Sequence, residues 1–138
     1  MANQDRLDQA YMDMAVRWGQ LSHAVRKQVG ALVVKDSQII SDGFNGTPTG
    51  FLNACEGDDG ETLPHVLHAE SNALTKLARG TKSSENATLY ITLSPCFQCA
   101  KLIVQSGITR VVYKDAYSDR SGLEFLNKCD ITVEKLND

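Results

Sequence analysis

The sequence predicts a layered α/β domain, a three-layer α-β-α arrangement around a five-stranded mixed sheet, on three observations. Helix-like and strand-like segments follow one another in the order α-β-β-α-β-α-β-α-β, the pattern of a sheet covered on both faces by helices. The first two strand segments are parted only by Lys35-Asp36-Ser37, which makes them an antiparallel hairpin. The length of 138 residues suits one core, so residues 1–138 are expected to form a single domain.

Leu7, Ala10, Tyr11, Met14, Ala15, Trp18 and Leu21 fall on one helical stripe, which predicts an amphipathic helix from about Asp5 to Leu21 with that stripe in the core. Val29–Val34 and Gln38–Phe44 are the hairpin strands, and Gly43-Phe44-Asn45-Gly46-Thr47-Pro48-Thr49-Gly50 is a loop of fixed path. The acidic stretch Glu56-Gly57-Asp58-Asp59-Gly60-Glu61 lacks the ligand spacing of a calcium loop and reads as a solvated connection.

Ala69, Ala73, Leu74, Leu77 and Ala78 predict a second helix over Leu67–Arg79, closed by Gly80. Ala87–Leu93 is a strand, after which Ser94-Pro95 offers a cap and a first-turn proline for a helix from Cys96 to Ser106, ended by Gly107. Ile108–Tyr113 is a strand, Gly122–Lys128 a short helix and Ile131–Val133 the last strand.

With 14 Lys and Arg against 17 Asp and Glu, the net charge of −3 argues against gripping a nucleic-acid polymer but leaves room for a small anion. No apolar run approaches the ~20 residues of a membrane span, and the opening MANQDRLDQA lacks the basic-then-apolar pattern of an export signal. A cytoplasmic chain with no membrane partner is expected, and its four cysteines should then stay reduced.

Cys96 and Cys99 stand three apart at a helix N-terminus, where two thiolates can share one soft dication. His68-Ala69-Glu70 opens the preceding helix, and residues two apart diverge, so one can bind metal while the other points past it. Imidazole plus two thiolates leaves zinc a fourth position for water, the arrangement of a catalytic site. Glu70 could then move protons between that water and a substrate. A second arrangement uses His65 and His68 with Cys96 and Cys99 as a closed structural site in a non-enzymatic domain, with Glu70 merely solvated. A redox reading of Cys96-Phe97-Gln98-Cys99 leaves His-Ala-Glu unexplained.

H-x-E with P-C-x-x-C is the signature of zinc-dependent nucleobase deaminases. The chain resembles that superfamily, and within it the deoxycytidylate (dCMP) deaminases, through collinear blocks that span most of its length. These are Arg26-Lys27-Gln28-Val29-Gly30-Ala31, Gly43-Phe44-Asn45-Gly46-Thr47-Pro48, His68-Ala69-Glu70-Ser71-Asn72-Ala73, Thr92-Leu93-Ser94-Pro95-Cys96-Phe97-Gln98-Cys99-Ala100 and Ser106-Gly107-Ile108. The zinc blocks carry the superfamily, and Gly43–Pro48 points to the dCMP branch.

The resemblance implies a cytidine deaminase-like fold, Zn2+ on His68, Cys96 and Cys99, and water on that ion as the nucleophile. Glu70 is then the proton carrier in conversion of dCMP to dUMP and ammonia, a step toward dTTP. It further implies a substrate site of Arg26, Asn45, Thr47, His65, Ala69, Ser94 and Tyr117. Arg26 would hold the phosphate, Asn45 the sugar, and the Ala69 N–H and Ser94 carbonyl the pyrimidine edge. Each has an ordinary alternative: an ion-paired Arg26, a turn Asn45, a structural His65, a core Tyr117. Many members are hexamers activated by dCTP and inhibited by dTTP, with Mg2+ on the triphosphate. That regulation implies effector contacts from Gly43, Phe44, Asn45, Gly46, Lys76 and Arg79, although Lys76 and Arg79 equally suit a solvated helix face.

Two departures matter. Phe44 stands where tyrosine is commoner, keeping the ring and losing the hydroxyl. Ala24 and Val25 stand where some relatives place a cysteine for a second, structural zinc, so one zinc per chain is expected, with Cys55 and Cys129 as reduced packing residues. A tRNA deaminase should show a basic face and a nucleoside deaminase should lack the Gly43–Pro48 loop, which leaves both as alternatives.

Overall fold

A computed structural model describes residues 2–136. The element order is α1 (Ala2–Gly19), β1 (Gly30–Lys35), β2 (Gln38–Phe44), α2 (Ala69–Ala78), β3 (Thr88–Leu93), α3 (Phe97–Gln105), β4 (Arg110–Asp115), α4 (Ser121–Lys128) and β5 (Thr132–Lys135). The strands form one five-stranded sheet in the order β2-β1-β3-β4-β5. β1 runs antiparallel to β2 and β3, whereas β3, β4 and β5 are parallel. The predicted order and the mixed sheet are those observed.

The three central strands are buried on both faces. Ala31, Val33, Leu89, Ile91, Val111 and Tyr113 point to one side and pack against α2, α3 and α4. Leu32, Val34, Tyr90 and Val112 point to the other and meet Met12 and Ala15 of α1. This period-two division is why β1, β3 and β4 read as nearly continuous apolar runs. The edges, β2 and β5, carry Gln38, Asp42, Glu134 and Lys135, which discourage pairing with another sheet.

The hairpin turn is a two-residue one: Asp36 and Ser37 both have positive φ (52° and 64°), the mirror-image turn that matches strand twist. α3 ends as the sequence indicates, with Ser106 as its last cap and Gly107 at φ 87°. Its start differs. Cys96, not Ser94, caps the helix, its Sγ accepting from the Cys99 N–H at 3.4 Å. Ser94 is already committed, because its Oγ accepts from the Tyr117 N–H at 2.7 Å.

The buried face of α1 also departs from expectation. The sheet-facing line is Asp8, Met12, Ala15 and Gly19, while Leu7, Met14, Trp18 and Leu21 are exposed. A carboxylate occupies a core position because it has partners: Arg110 donates from Nη1 (3.0 Å) and Nη2 (2.6 Å), and the Tyr90 hydroxyl donates at 2.5 Å. Apolar periodicity cannot see such a residue, so the apolar stripe lies one row away from the buried face.

Gly43 lies under the first turns of α2. A Cβ there would sit 2.5 Å from the Ala69 carbonyl oxygen and 2.7 Å from the Ala73 nitrogen, so bare backbone on β2 lets α2 approach. Gly43→Ala is expected to cost about 1–3 kcal/mol by forcing the two apart, measured as a shift of the urea midpoint. Among the described residues, no helix is long and apolar enough to cross a membrane.

Candidate active site

The parallel order of β3 and β4 brings the ends of the central strands together beside α2 and α3. His68 immediately precedes α2 and Cys96 immediately precedes α3, so both helix starts face the same point. His68 Nδ1 lies 3.5 Å from Cys96 Sγ and 3.3 Å from Cys99 Sγ, and the three donors fall within 4.8 Å of one another. Ligands around a tetrahedral zinc are separated by about 3.5 Å, given bond lengths of ~2.0 Å to nitrogen and ~2.3 Å to sulfur. The trio fits a zinc ion in donor type and spacing.

His65 is not part of it. Its ring packs on Phe51, with centroids 5.4 Å apart, and among the described residues only His68, Cys96 and Cys99 form a cluster able to hold a metal. The closed four-ligand arrangement therefore has no fourth protein ligand here.

The two thiols are driven in opposite directions. Hydrogen bonds from Cys99 and then His68 pull Cys96 down to about 4, while the same pairing, with burial, pushes Cys99 well above the ordinary thiol range. His68 is raised through its bond to Cys96, against the opposing effect of burial. A dication shared by both sulfurs would take each as thiolate. Ser71 Oγ stands 3.2 Å from Cys99 Sγ. A metal-bound thiolate only accepts, so Ser71 would donate to it and fix its direction.

Beside the trio, Glu70 is 3% exposed and lies inside the first turn of α2. Burial pushes its carboxyl up to about 7, opposed by a backbone hydrogen bond and by His68. Such a group gives and takes a proton near neutrality.

His68, Glu70 and Cys96 open onto a cleft of about 210 Å3, while Cys99 closes the trio from behind. Five of the seven expected substrate contacts line it: Arg26, Asn45, Ala69, Ser94 and Tyr117. Thr47 and His65 do not. Tyr117 is 40% exposed at the mouth and so is not a core tyrosine. Cys55 is in the wall but apart from the trio, its thiol pushed up by burial and then by Glu56.

Asn45 is occupied. Its Oδ1 accepts from the Val29 N–H at 2.9 Å, and its Nδ2 donates to the Lys27 carbonyl at 2.8 Å. One lone pair and one N–H of the carboxamide are left for a ligand. Through these bonds it suspends the strap 24–29 along the cleft, a role sequence reasoning did not assign. Lys27, Glu56 and Thr62 of the wall were likewise missed. The strap and the acidic stretch carry no periodic signal, and only long-range hydrogen bonds bring them to the site.

The expected effector residues have differing surroundings. Gly43 is buried under α2, Phe44 sits edge-on to Trp18, and Gly46 is bridged to Leu67. Lys76 is paired with Asp42 at 2.8 Å, and Arg79 is exposed on α2's far end. At Gly43 the reason is packing: a helix occupies the space a side chain would take, which leaves only its backbone.

The profile for the cytidine and deoxycytidylate deaminase zinc-binding region matches residues 5–115. The chain is 34% identical over 140 residues to the deoxycytidylate deaminase of Saccharomyces cerevisiae, covering 94% of this chain but 45% of that longer protein. To the deoxycytidylate deaminase of Mycobacterium phage D29 it is 38% identical over 120 residues, 77% of this chain and 92% of that one. The dCMP deaminase of cyanophage S-TIM5, solved in complex with dCMP and dUMP, superposes with a TM-score of 0.92 at 44% identity, covering 94% of this chain and 96% of that chain.

Proposed function

The chain belongs to the zinc-binding cytidine and deoxycytidylate deaminase family, and from that premise we propose that it hydrolyses the 4-amino group of dCMP, giving dUMP and ammonia. One observation carries the reading: a metal-binding trio, a buried carboxylate and a cationic strap face the same cleft. The S-TIM5 relative, which binds dCMP and dUMP, supports that substrate.

His68, Cys96 and Cys99 would hold the zinc, which would supply the Lewis acidity that makes water a nucleophile near neutral pH. In this reading Glu70 takes one proton of the attacking water and passes it to N3 of the cytosine as C4 becomes tetrahedral. It then takes the second proton from the new C4 hydroxyl and delivers it to the amine as the C4–N bond breaks and the C4 carbonyl forms. One carboxylate suffices because proton uptake precedes delivery. The Ala69 N–H and the Ser94 carbonyl hold the pyrimidine edge, the remaining polar capacity of Asn45 meets the sugar, and Arg26 with Lys27 faces the 5′-phosphate. The 55–63 hairpin and Tyr117 at the mouth restrict the cleft to a single nucleotide.

Regulation by dCTP and dTTP with Mg2+ and assembly into hexamers are the finer parts of this reading. Two features support coupling of the site to an effector loop and assembly. Asn72 Nδ2 donates to the Phe44 carbonyl at 3.0 Å, so a ligand on the Phe44–Gly46 loop would bear on the helix that carries Glu70. Exposed Met14, Trp18 and Leu21 supply an apolar face for a neighbour.

The test offers zinc-loaded protein dCMP, deoxycytidine, cytidine, dCTP and a tRNA anticodon stem, each with and without dCTP or dTTP and Mg2+. Ammonia release from dCMP well above the rest, with one zinc per chain, is the expected result. Release from cytidine and none from dCMP would overturn the substrate assignment, and two zinc ions per chain would contradict the single site.

A further inference from the structure

The strap that faces the cleft already holds an anion. One carboxylate, that of Glu56, accepts from two consecutive amides: the Val25 N–H lies 3.1 Å from both of its oxygens and the Arg26 N–H lies 3.2 Å from one. Consecutive backbone N–H groups converging on one point are an anion-binding device. The Arg26 guanidinium is held the same way, its Nη1 donating to Glu61 at 3.1 Å.

Both carboxylates come from one small hairpin, pinned by the pairing of Glu56 with Thr62 and by the Leu63 N–H donating to the Cys55 carbonyl at 2.8 Å. Arg26, Lys27 and Glu56 all line the cleft. A phosphate dianion approaching Arg26 meets two like charges at ion-pair distance, and those donors cannot serve carboxylates and phosphate fully at once. Arg26 and Glu61 are 56% and 73% exposed, so their pair is weak enough to exchange.

We propose that the 55–63 hairpin is an anion latch: in the nucleotide-free protein Glu56 and Glu61 occupy the strap donors that a nucleotide's 5′-phosphate takes over on binding. Phosphate entry and release of the hairpin are then one exchange. A nucleoside, with no anion to offer, leaves the hairpin latched, and Glu56 and Glu61 thereby act as internal competitors that set how tightly a phosphorylated substrate is held. The inference rests on the dCMP reading above.

Glu56→Gln keeps the side chain's size and removes its charge. Glu61→Gln breaks only an exposed pair and serves if the first variant folds poorly. In each, KM for dCMP should fall by about tenfold, the size of a modest charge-assisted hydrogen bond, while KM for deoxycytidine stays within about twofold. Inorganic phosphate should shift the Val25 and Arg26 amide resonances at lower concentration in Glu56→Gln than in the parent. An unchanged or raised KM for dCMP in both variants overturns the latch and makes Glu56 a structural staple of the strap. Parent protein that deaminates deoxycytidine but not dCMP overturns the substrate reading instead, and the latch with it.

Discussion

Replacing Glu70 by glutamine is expected to lower kcat by about 10²- to 10⁴-fold, the usual span for losing a positioned proton carrier. The zinc content should not change, since Glu70 is not one of the three clustered donors. Glutamine matches the carboxyl in shape, so the core under the first turn of α2 stays filled. It cannot accept a proton from water and return it, the one capability that a buried carboxyl poised at about 7 has. Steady-state turnover of dCMP, read beside elemental analysis for zinc, checks this. Turnover within a few-fold of the parent at full zinc occupancy would remove Glu70 from the chemistry. Parallel loss of zinc and turnover would make it a support of the metal instead.

The second large effect concerns stability. Asp8→Ala should destabilise the protein by about 2–4 kcal/mol, because it removes the buried partner of both the Arg110 guanidinium, 18% exposed, and the Tyr90 hydroxyl, leaving Arg110 only Glu134. Glu134→Ala removes the other partner of Arg110, but that carboxylate is 49% exposed, and a cost under about 1 kcal/mol is expected. Urea unfolding of both variants at neutral pH tests the contrast, and equal costs would show that burial of Asp8 is not what makes the pair matter. The sign with pH follows from the same contacts. Burial raises the Asp8 carboxyl, but hydrogen bonds from Arg110, Tyr90 and Gln4, with the Arg110 charge, bring it below its ordinary value. A depressed folded value gives stability that is complete above about pH 4, where the unfolded group is also ionised, and is lost as pH falls through the folded value. In Asp8→Asn that acid limb should flatten.

Much of this was legible in the chain. The alternation of elements gave the layers, Lys35-Asp36-Ser37 the hairpin, Gly107 the end of α3, and the H-x-E and P-C-x-x-C spacings the donors that meet 3.3–3.5 Å apart. These are local patterns in which near neighbours in sequence are near neighbours in space. What was not legible depends on partners far along the chain. Asp8 is buried through a residue 102 positions away, so an apolar stripe could not orient α1. A thiolate-like sulfur caps α3 because the same cysteine is drawn toward a metal trio, and no ordinary cap preference includes it. Gly43 looks like a loop glycine until α2 is laid over it. Asn45 and Glu56 hold the strap from 16 and 31 residues downstream, and only the folded chain reveals the pair as its two hangers.

The two charged assemblies sit at opposite ends of one short element. Tyr90 and, beside Thr88, Arg110 anchor the start of the parallel pair, while Leu93 leads into the cleft at its far end. Five steps of strand, from Thr88 to Leu93, separate them by about 17 Å. For protein engineering this means that hardening and retuning can proceed separately. Substitutions that strengthen the Asp8–Arg110 end raise tolerance to heat or acid without crossing into the pocket, and libraries aimed at a new base or sugar can spend that reserve on the strap and helix starts.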